Sequence, residues 1–104
     1  MLILTTIRVV KNHNYSVMSN YHLRDKNLSF KAKGLLSYMF SLPDNWNYSI
    51  KGISSHSKES EKTVRAILKE LEARKYLIIK KQQNSLGRFV YEYFIYELPG
   101  TQNP

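Results

Sequence analysis

The sequence predicts a single α+β domain, mainly α, in which three helices precede a C-terminal hairpin of two strands. In the middle of the chain, apolar residues recur every three or four positions, which is the period of an amphipathic helix. From about residue 76 onwards the period becomes two, which is that of a strand. The length of 104 residues is enough for one compact domain and not for two.

The first element expected is an N-terminal strand or a loose hairpin. The β-prone residues 8–10 and 15–18 lie on either side of the polar residues 11–14. Asn20 is then placed to cap a single helical turn over residues 21–25. A strand and a short turn are therefore predicted ahead of the first long helix.

The first long helix is predicted between Ser29, which is a good N-cap, and Pro43, which ends it. Five apolar residues follow the spacing i, i+3, i+4, i+7, i+8 and form one face: Ala32, Leu35, Leu36, Met39 and Phe40. Small residues point the other way: Gly34, Ser37 and Ser41. This pattern is typical of a half-buried helix with a smooth back.

Two more helices follow a turn that contains Trp46, whose ring we expect to pack over a helix end. Ser49 is placed to cap a short helix, residues 57–59 break the pattern, and Ser60 is placed to cap a third helix. The third helix again has apolar residues at i, i+3, i+4, i+7: Val64, Ile67, Leu68 and Leu71. Its opposite face carries small and basic residues: Lys62, Ala66, Lys69 and Ala73, with Arg65 on the flank.

A hairpin completes the predicted fold. Residues 76–83 form the first strand, and a turn follows in which Gly87 is free to adopt a positive φ. Residues 88–98 return as the second strand, whose better apolar face is formed by the odd positions: Phe89, Tyr91, Tyr93 and Ile95. Three helices followed by a hairpin is the winged helix-turn-helix arrangement. We predict that this domain spans residues 1–99 and that residues 100–104 are a flexible tail or linker.

Composition excludes several classes of function. The chain lacks cysteine, which rules out disulfides, thiolate catalysis and zinc sites built on cysteine. Its three histidines lie at no metal-binding spacing and are expected at exposed or half-buried positions. Neither a Gly-rich phosphate loop nor a nucleophile motif is present in the sequence. We therefore expect no enzymatic activity, no cofactor and no metal.

The charge of the chain indicates an anionic partner. Sixteen Lys+Arg against eight Asp+Glu give a net charge of +8. Nine of these basic residues and four of the acidic ones lie within residues 58–88, where the third helix and the hairpin are predicted. No apolar run approaches the roughly 18 residues of a membrane span, so we expect no membrane partner. The lack of cysteine fits a reducing compartment, and we expect a cytoplasmic location in a bacterial cell or phage-infected host.

A pattern of apolar, small and hydroxyl residues runs through residues 53–71: Ile53, Ser54, Ser60, Thr63, Val64, Leu68 and Leu71. It resembles the helix-turn-helix domain shared by replication-initiation proteins of phages, plasmids and mobile elements and by DnaD-like primosome proteins. Segments between residues 19 and 46 resemble the entry into that domain, and segments between residues 87 and 99 resemble the exit from its wing. The resemblance extends over residues 7–99.

Two positions depart from the family pattern. Residues 57–59 are Ser, Lys and Glu, where family members carry an apolar residue, a glycine and another apolar residue. Lys75 occupies the place of a glycine before the first wing strand. We expect the first departure to weaken the packing between the two helices of the motif.

The resemblance implies non-enzymatic, sequence-selective binding of double-stranded DNA. The task that it implies is origin recognition or recruitment of a helicase loader during replication of a phage or mobile element. A transcriptional regulator built on the same domain is a close alternative. From a different class, a protein-interaction or oligomerisation module is a further alternative, with a second copy of the chain or a replication protein as partner.

The first group of candidate DNA-binding residues lies on the third helix, which a winged helix places in the major groove. Its members are Ser60, Lys62, Thr63, Arg65, Ala66 and Lys69. The cations reach phosphates or guanine edges, Ala66 keeps the helix slim, and the helix N-terminus is suited to hold a phosphate. Glu59 and Glu61 are interpreted as stabilising that N-terminus, with a hydrogen bond from cytosine as the alternative role.

A second group lies on the predicted wing and beside the motif, where it reaches the DNA backbone or the minor groove. Its members are Lys51, Lys58, Lys80, Lys81, Gln82, Asn84 and Arg88. Three tyrosines of the last strand, Tyr91, Tyr93 and Tyr96, are interpreted as core and strand-forming residues. Stacking on single-stranded bases is their alternative role.

Overall fold

The elements of the structure follow one another in the predicted order. The computed structural model describes residues 5–6, 8–10, 13–43, 46 and 48–100. Its helices are α1 (Phe30–Phe40), α2 (Ile50–Ser55) and α3 (Glu61–Ala73), and its strands are β1 (Leu77–Gln83) and β2 (Phe89–Ile95). This order confirms the α+β fold class and the winged helix-turn-helix arrangement. No helix within the described residues is long and apolar enough to cross a membrane.

Serine side chains begin the three helices as predicted. Ser29, Ser49 and Ser60 each accept a hydrogen bond from the backbone N–H three residues later, at 3.1, 2.9 and 3.2 Å. Each bond satisfies one of the N–H groups that the first turn of a helix leaves without a partner. α1 ends at Phe40, ahead of Pro43, which lacks the N–H that a longer helix needs.

The core lies between the three helices and the base of the hairpin. α3 buries the four residues that its spacing predicts: Val64, Ile67, Leu68 and Leu71. α1 and the entry to β1 bury a second set: Ala32, Leu36, Met39, Tyr76 and Leu77. Leu35 and Phe40, predicted on the same apolar face of α1, are half-buried against this core. Helical spacing alone therefore identified the core side of both long helices.

α3 ends in a Schellman motif whose left-handed residue is Lys75, with φ of 70°. The N–H of Lys75 donates to the carbonyl of Glu72 at 3.1 Å, and the N–H of Tyr76 donates to that of Leu71 at 3.0 Å. These two bonds define the motif, and its left-handed position is usually filled by glycine. Lys75 carries a Cβ, unlike glycine, so the left-handed conformation strains its backbone.

The hairpin of β1 and β2, called the wing from here on, is an antiparallel pair in which Leu77 lies opposite Ile95 at the base. Near the helices, the odd positions face the core as predicted, with Tyr93 and Ile95 half-buried. Farther out, Phe89 and Tyr91 are 60% and 57% exposed, because this part of the wing extends past the helices. The predicted apolar face is therefore divided into a packed half and an exposed half.

The predicted N-terminal strand is not formed by residues 8–10 and 13–20, which are neither helix nor strand. Val9, Val10 and Val17 are 72%, 84% and 92% exposed. β-branched residues favour a strand only where a neighbouring strand and a buried face receive them, and the sheet of the described residues consists of β1 and β2. The strand prediction is therefore wrong for the described part of this segment.

The short connections before α1 and α2 follow the predictions in part. The single helical turn is present as a 3₁₀ turn at His22–Arg24, but Asn20 contributes its carbonyl oxygen rather than a side-chain cap. The centre of the Trp46 ring lies 6.4 Å from the centre of the His56 ring, and His56 is the C-cap of α2. Trp46 therefore packs over a helix end as predicted. Parts of the second connection and of the predicted tail lie outside the described residues: Asp44, Asn45, Asn47 and residues 101–104.

His22 is fully buried, although the sequence predicts exposed or half-buried histidines. Its Nε2 is hydrogen-bonded to Ser37 Oγ at 2.7 Å, and its ring packs edge-on against Phe40. Ser37 therefore turns toward the body of the protein instead of forming part of a smooth back of α1. Burial, and secondly the charge of Lys33, lower the pKa of the His22 imidazole.

Candidate nucleic-acid interface

α3 presents a row of exposed residues on the side opposite its buried stripe. We call this row the basic face of α3, and its members are Lys62, Arg65, Ala66 and Lys69. The spacing of three or four residues places them along one side of the helix. In the part of the chain that the structure describes, no salt bridge engages the three cations of this face. Their charges are therefore available to an anion from solution.

At the N-terminal end of α3, Ser60 and Thr63 bond to each other. Ser60 Oγ accepts from the N–H of Thr63 at 3.2 Å and donates to Thr63 Oγ1 at 3.1 Å. The predicted phosphate contact at this end would therefore use backbone N–H groups, because the Ser60 hydroxyl is already engaged. Glu61 lies in the first turn of α3, where a carboxylate stabilises the positive end of the helix dipole.

Side-chain hydrogen bonds hold the turn between α2 and α3. Ser54 Oγ donates to the carbonyl of Glu59 at 2.7 Å, and the N–H of Glu59 donates to Ser57 Oγ at 3.2 Å. These bonds hold a turn in which residues 57–59 are all polar. A pocket of about 770 Å³ lies between this turn, α1 and α3, and its apolar lining includes Leu35 and Ile53. Ile53 of α2 and Val64 of α3 both line the pocket and are both buried, so the two helices of the motif share one core.

The two candidate residues that flank α3 are both exposed. Lys51 lies on α2, and Lys58 lies in the turn between α2 and α3. Lys58 also lines the rim of the pocket beside the turn. The motif therefore carries cations on both of its helices and on the turn that joins them.

The candidate DNA-binding residues of strand β1 lie on two opposite faces of the wing. Lys80 and Gln82 lie on the even-numbered face, which we call the outer face of the wing. Glu92 lies directly opposite Lys80 on this face and accepts a hydrogen bond from Gln82 Nε2 at 3.1 Å. A phosphate that approaches Lys80 on the outer face therefore also meets the Glu92 carboxylate, which weakens the predicted contact there.

Lys81 lies on the other side, among the odd positions, which we call the core-side face of the wing. It lies opposite Tyr91, and its Nζ is 4.1 Å from the centre of the Phe89 ring. A cation at this distance is attracted by the negative face of the aromatic ring. The core-side face thus combines a cation with two exposed rings.

Asn84 has a structural role in the tip of the wing. Its Oδ1 accepts hydrogen bonds from the backbone N–H groups of Leu86 and Arg88, both at 3.0 Å. These bonds close the turn in which Gly87 has the predicted positive φ, at 78°. Asn84 therefore has only its amide NH₂ left for DNA, whereas the side chain of Arg88 is exposed.

Sequence reasoning missed Glu70, which fixes α3 against α1. Its carboxylate accepts from the Ser29 N–H at 2.8 Å and from Ser29 Oγ at 2.7 Å. The two residues are 41 positions apart, so no spacing rule connects them. Together with the buried residues of α3, this pair holds in place the helix that carries the basic face.

A second missed pair fastens the 3₁₀ turn to the entry of β1. The buried Tyr76 hydroxyl donates to Asp25 Oδ2 at 2.6 Å. This bond, followed by one from the Asn27 N–H, lowers the pKa of Asp25 below its usual range. Among the described residues, no group of three or more His, Cys, Asp or Glu side chains is placed to hold a metal ion.

Comparison with known proteins identifies the helical part of the chain. A family model described as a helix-turn-helix domain matches residues 26–77, which is half of the chain. The match begins just before α1 and ends at the first residue of β1, so it contains the three helices and leaves out the wing. Searches of the curated proteins and of the solved structures found no match.

Proposed function

The chain belongs to the helix-turn-helix domain family, and from that premise we propose that it binds double-stranded DNA, with α3 in the major groove and the wing alongside. The observation that carries the proposal is the basic face of α3, whose three cations are exposed and follow directly after the turn of the motif. In a helix-turn-helix, the second helix of the motif is the one that contacts base edges.

The shape and charge of the basic face suit a major groove. Such a groove is roughly 12 Å wide and admits one α-helix, and Ala66 keeps α3 narrow at the centre of the face. Lys62 and Lys69 lie almost two turns apart, which is about 10 Å along the helix axis. Arg65 lies between them, and its planar guanidinium matches the O6 and N7 acceptors of guanine.

Within DNA binding, we propose a part in replication initiation or primosome recruitment for a phage or mobile element. The support is the resemblance over residues 7–99, which reaches beyond the three helices into the upstream turn and the wing exit. Transcriptional regulation would use the same protein surface, so the location of the target distinguishes the two roles. A target inside a replication origin supports initiation, and a target that overlaps a promoter supports regulation.

The first experiment is selection of bound duplexes from a random pool, followed by sequencing. We expect enrichment of one sequence, and a palindrome would indicate that two copies of the chain bind side by side. Absence of enrichment, together with binding that hardly changes with salt, would overturn the proposal in favour of a protein-interaction role.

The second experiment removes the cations of the basic face. The variant Lys62→Ala/Arg65→Ala/Lys69→Ala is expected to bind the selected duplex on the order of 100-fold more weakly, since each contact to phosphate or guanine is lost. The matched control is Arg8→Ala/Arg24→Ala/Lys26→Ala, which removes the same charge from exposed positions outside the motif and the wing. Equal losses in the two variants would show that only net charge matters and would contradict the assigned face.

A further inference from the structure

The exposed half of the core-side face of the wing carries two aromatic rings that the helices leave uncovered. Phe89 and Tyr91 are 60% and 57% exposed. They lie two residues apart on β2, so both rings project from the same face. Exposed apolar groups that lie next to each other mark binding sites more often than single exposed residues do, and aromatic rings contribute the largest apolar area to such sites.

The charge of this half of the face favours a polyanion. Its four side chains are Lys81, Gln83, Phe89 and Tyr91, and none is acidic. Lys81 lies opposite Tyr91 and holds its Nζ 4.1 Å from the Phe89 ring centre. The only carboxylate in the exposed part of the wing, Glu92, lies on the outer face and is bonded to Gln82. A second copy of this chain is disfavoured as occupant, because both copies carry +8 and would bring their Lys81 side chains together.

The spacing of the two rings suits separated bases. Residues two apart on a strand are about 6.8 Å from each other, which is twice the roughly 3.4 Å rise between stacked bases in one strand of a duplex. The paired, stacked bases of a duplex cannot reach both rings. An extended single strand, whose bases are apart, presents a free π-face to each ring.

We propose that the core-side face of the wing binds single-stranded DNA. One base stacks on Phe89 and the next on Tyr91, while the Lys81 ammonium leaves the Phe89 ring to pair with the phosphate between them. This site goes beyond the proposed duplex binding and uses none of the residues of the basic face of α3. A chain that holds a duplex with α3 and a separated strand with the wing sits at the junction of the two.

The test compares two probes by fluorescence anisotropy with the full chain. One probe is an oligothymidine of about 12 nucleotides, within the range of known single-strand site sizes, and the other is a blunt duplex. The variant Phe89→Leu/Tyr91→Leu keeps apolar side chains and removes both rings. We expect it to bind the oligothymidine at least tenfold more weakly and the duplex within twofold of the original chain. The control Tyr91→Phe keeps the ring and is expected to bind both probes normally.

Three results would overturn the proposal. The first is unchanged oligothymidine binding by the leucine variant, and the second is an equal loss on both probes, which would assign the face to the duplex site. The third is that sedimentation equilibrium shows a dimer for the original chain and a monomer for the Phe89→Leu/Tyr91→Leu variant. An independent measurement on the unaltered chain is photocrosslinking to a bromodeoxyuridine oligonucleotide with peptide mapping. Adducts at Phe89 or Tyr91 support the site, and adducts confined to other residues contradict it.

Discussion

The helical body and the wing differ in what determines the position of each side chain. In α3, the position of the four predicted apolar side chains is determined by burial, because all four lie in the core. In the wing, every residue from Lys80 to Glu92 is exposed, and the strand ladder and the turn maintain its shape. The body therefore specifies the fold, whereas the exposed side chains of residues 80–92 are free to bind a partner.

The largest effect expected from this difference is on stability. Leu71→Ala removes a fully buried side chain from α3 and is expected to lower the free energy of unfolding by about 3 kcal/mol. Leu86→Ala at the tip of the wing, where the leucine is 75% exposed, is expected to change it by less than about 0.5 kcal/mol. Urea denaturation followed by circular dichroism measures the free energy of unfolding of both variants. Similar losses would mean that the body and the tip of the wing do not differ in their contribution to stability.

The next effect concerns the link between α3 and α1. Glu70→Ala removes a half-buried carboxylate that accepts two hydrogen bonds from Ser29, and we expect a loss of about 2 kcal/mol. The exposed Glu72 on the same helix provides the matched control, since Glu72→Ala is expected to cost less than about 0.5 kcal/mol. A loss no larger than that of the control would mean that the Ser29 bonds do not anchor α3.

A smaller effect, of opposite sign, is expected where the body joins the wing. Lys75→Gly relieves the left-handed backbone strain of a residue with φ of 70° and should raise the free energy of unfolding by about 1 kcal/mol. Ala73→Gly, at the last residue of α3, should lower it by about 0.5 kcal/mol. We therefore expect the denaturation midpoint of Lys75→Gly to be higher than that of the original chain, and the midpoint of Ala73→Gly to be lower. A destabilised Lys75→Gly variant would be inconsistent with the strain.

A change of pH separates the buried histidine of the body from an exposed one. Burial, and secondly Lys33, lower the pKa of His22 from its ordinary value of 6.5, so the unfolded chain takes up the proton more readily than the folded one. The contribution of His22 to stability is therefore complete above pH 6.5 and is lost as the pH falls through the lowered pKa. In thermal melts at falling pH, we expect the original chain to lose this contribution to its stability. The His22→Gln variant should show a smaller loss, and the His56→Gln variant should show the loss of the original chain. An equal acid sensitivity in all three chains would contradict the assignment.

Sequence reasoning located the helices because all three begin with a serine N-cap and the two long ones also have helical apolar spacing. Ser29, Ser49 and Ser60 are N-caps, and the apolar spacing of α1 and α3 places their cores correctly. The predicted N-terminal strand failed because strand propensity depends on a partner that the described residues do not supply. Local rules therefore predicted the helices, whose caps and spacing are local in sequence, and failed for the strand, which needs a partner from elsewhere in the chain.

The candidate site was predicted less completely because its details depend on distant contacts. The bond between Glu70 and Ser29 joins α3 to α1 and leaves no mark in residue spacing. Period two placed Lys80 and Lys81 on a common strand, and only the pairing of the strands showed that Lys80 shares its face with Glu92. Asn84 was predicted as a DNA contact and also as part of the turn, and its hydrogen bonds assign its side-chain oxygen to the turn.

The most direct test of the central proposal, duplex binding by the basic face of α3, is the salt dependence of affinity. Plots of log affinity against log salt concentration should be measured for the original chain and for Lys62→Ala/Arg65→Ala/Lys69→Ala. If Lys62 and Lys69 each neutralise a phosphate while Arg65 contacts guanine, the slope for the original chain will be steeper by about 1.8. Equal slopes for the two chains would mean that these cations do not contact the DNA backbone, which would contradict duplex binding by the basic face of α3.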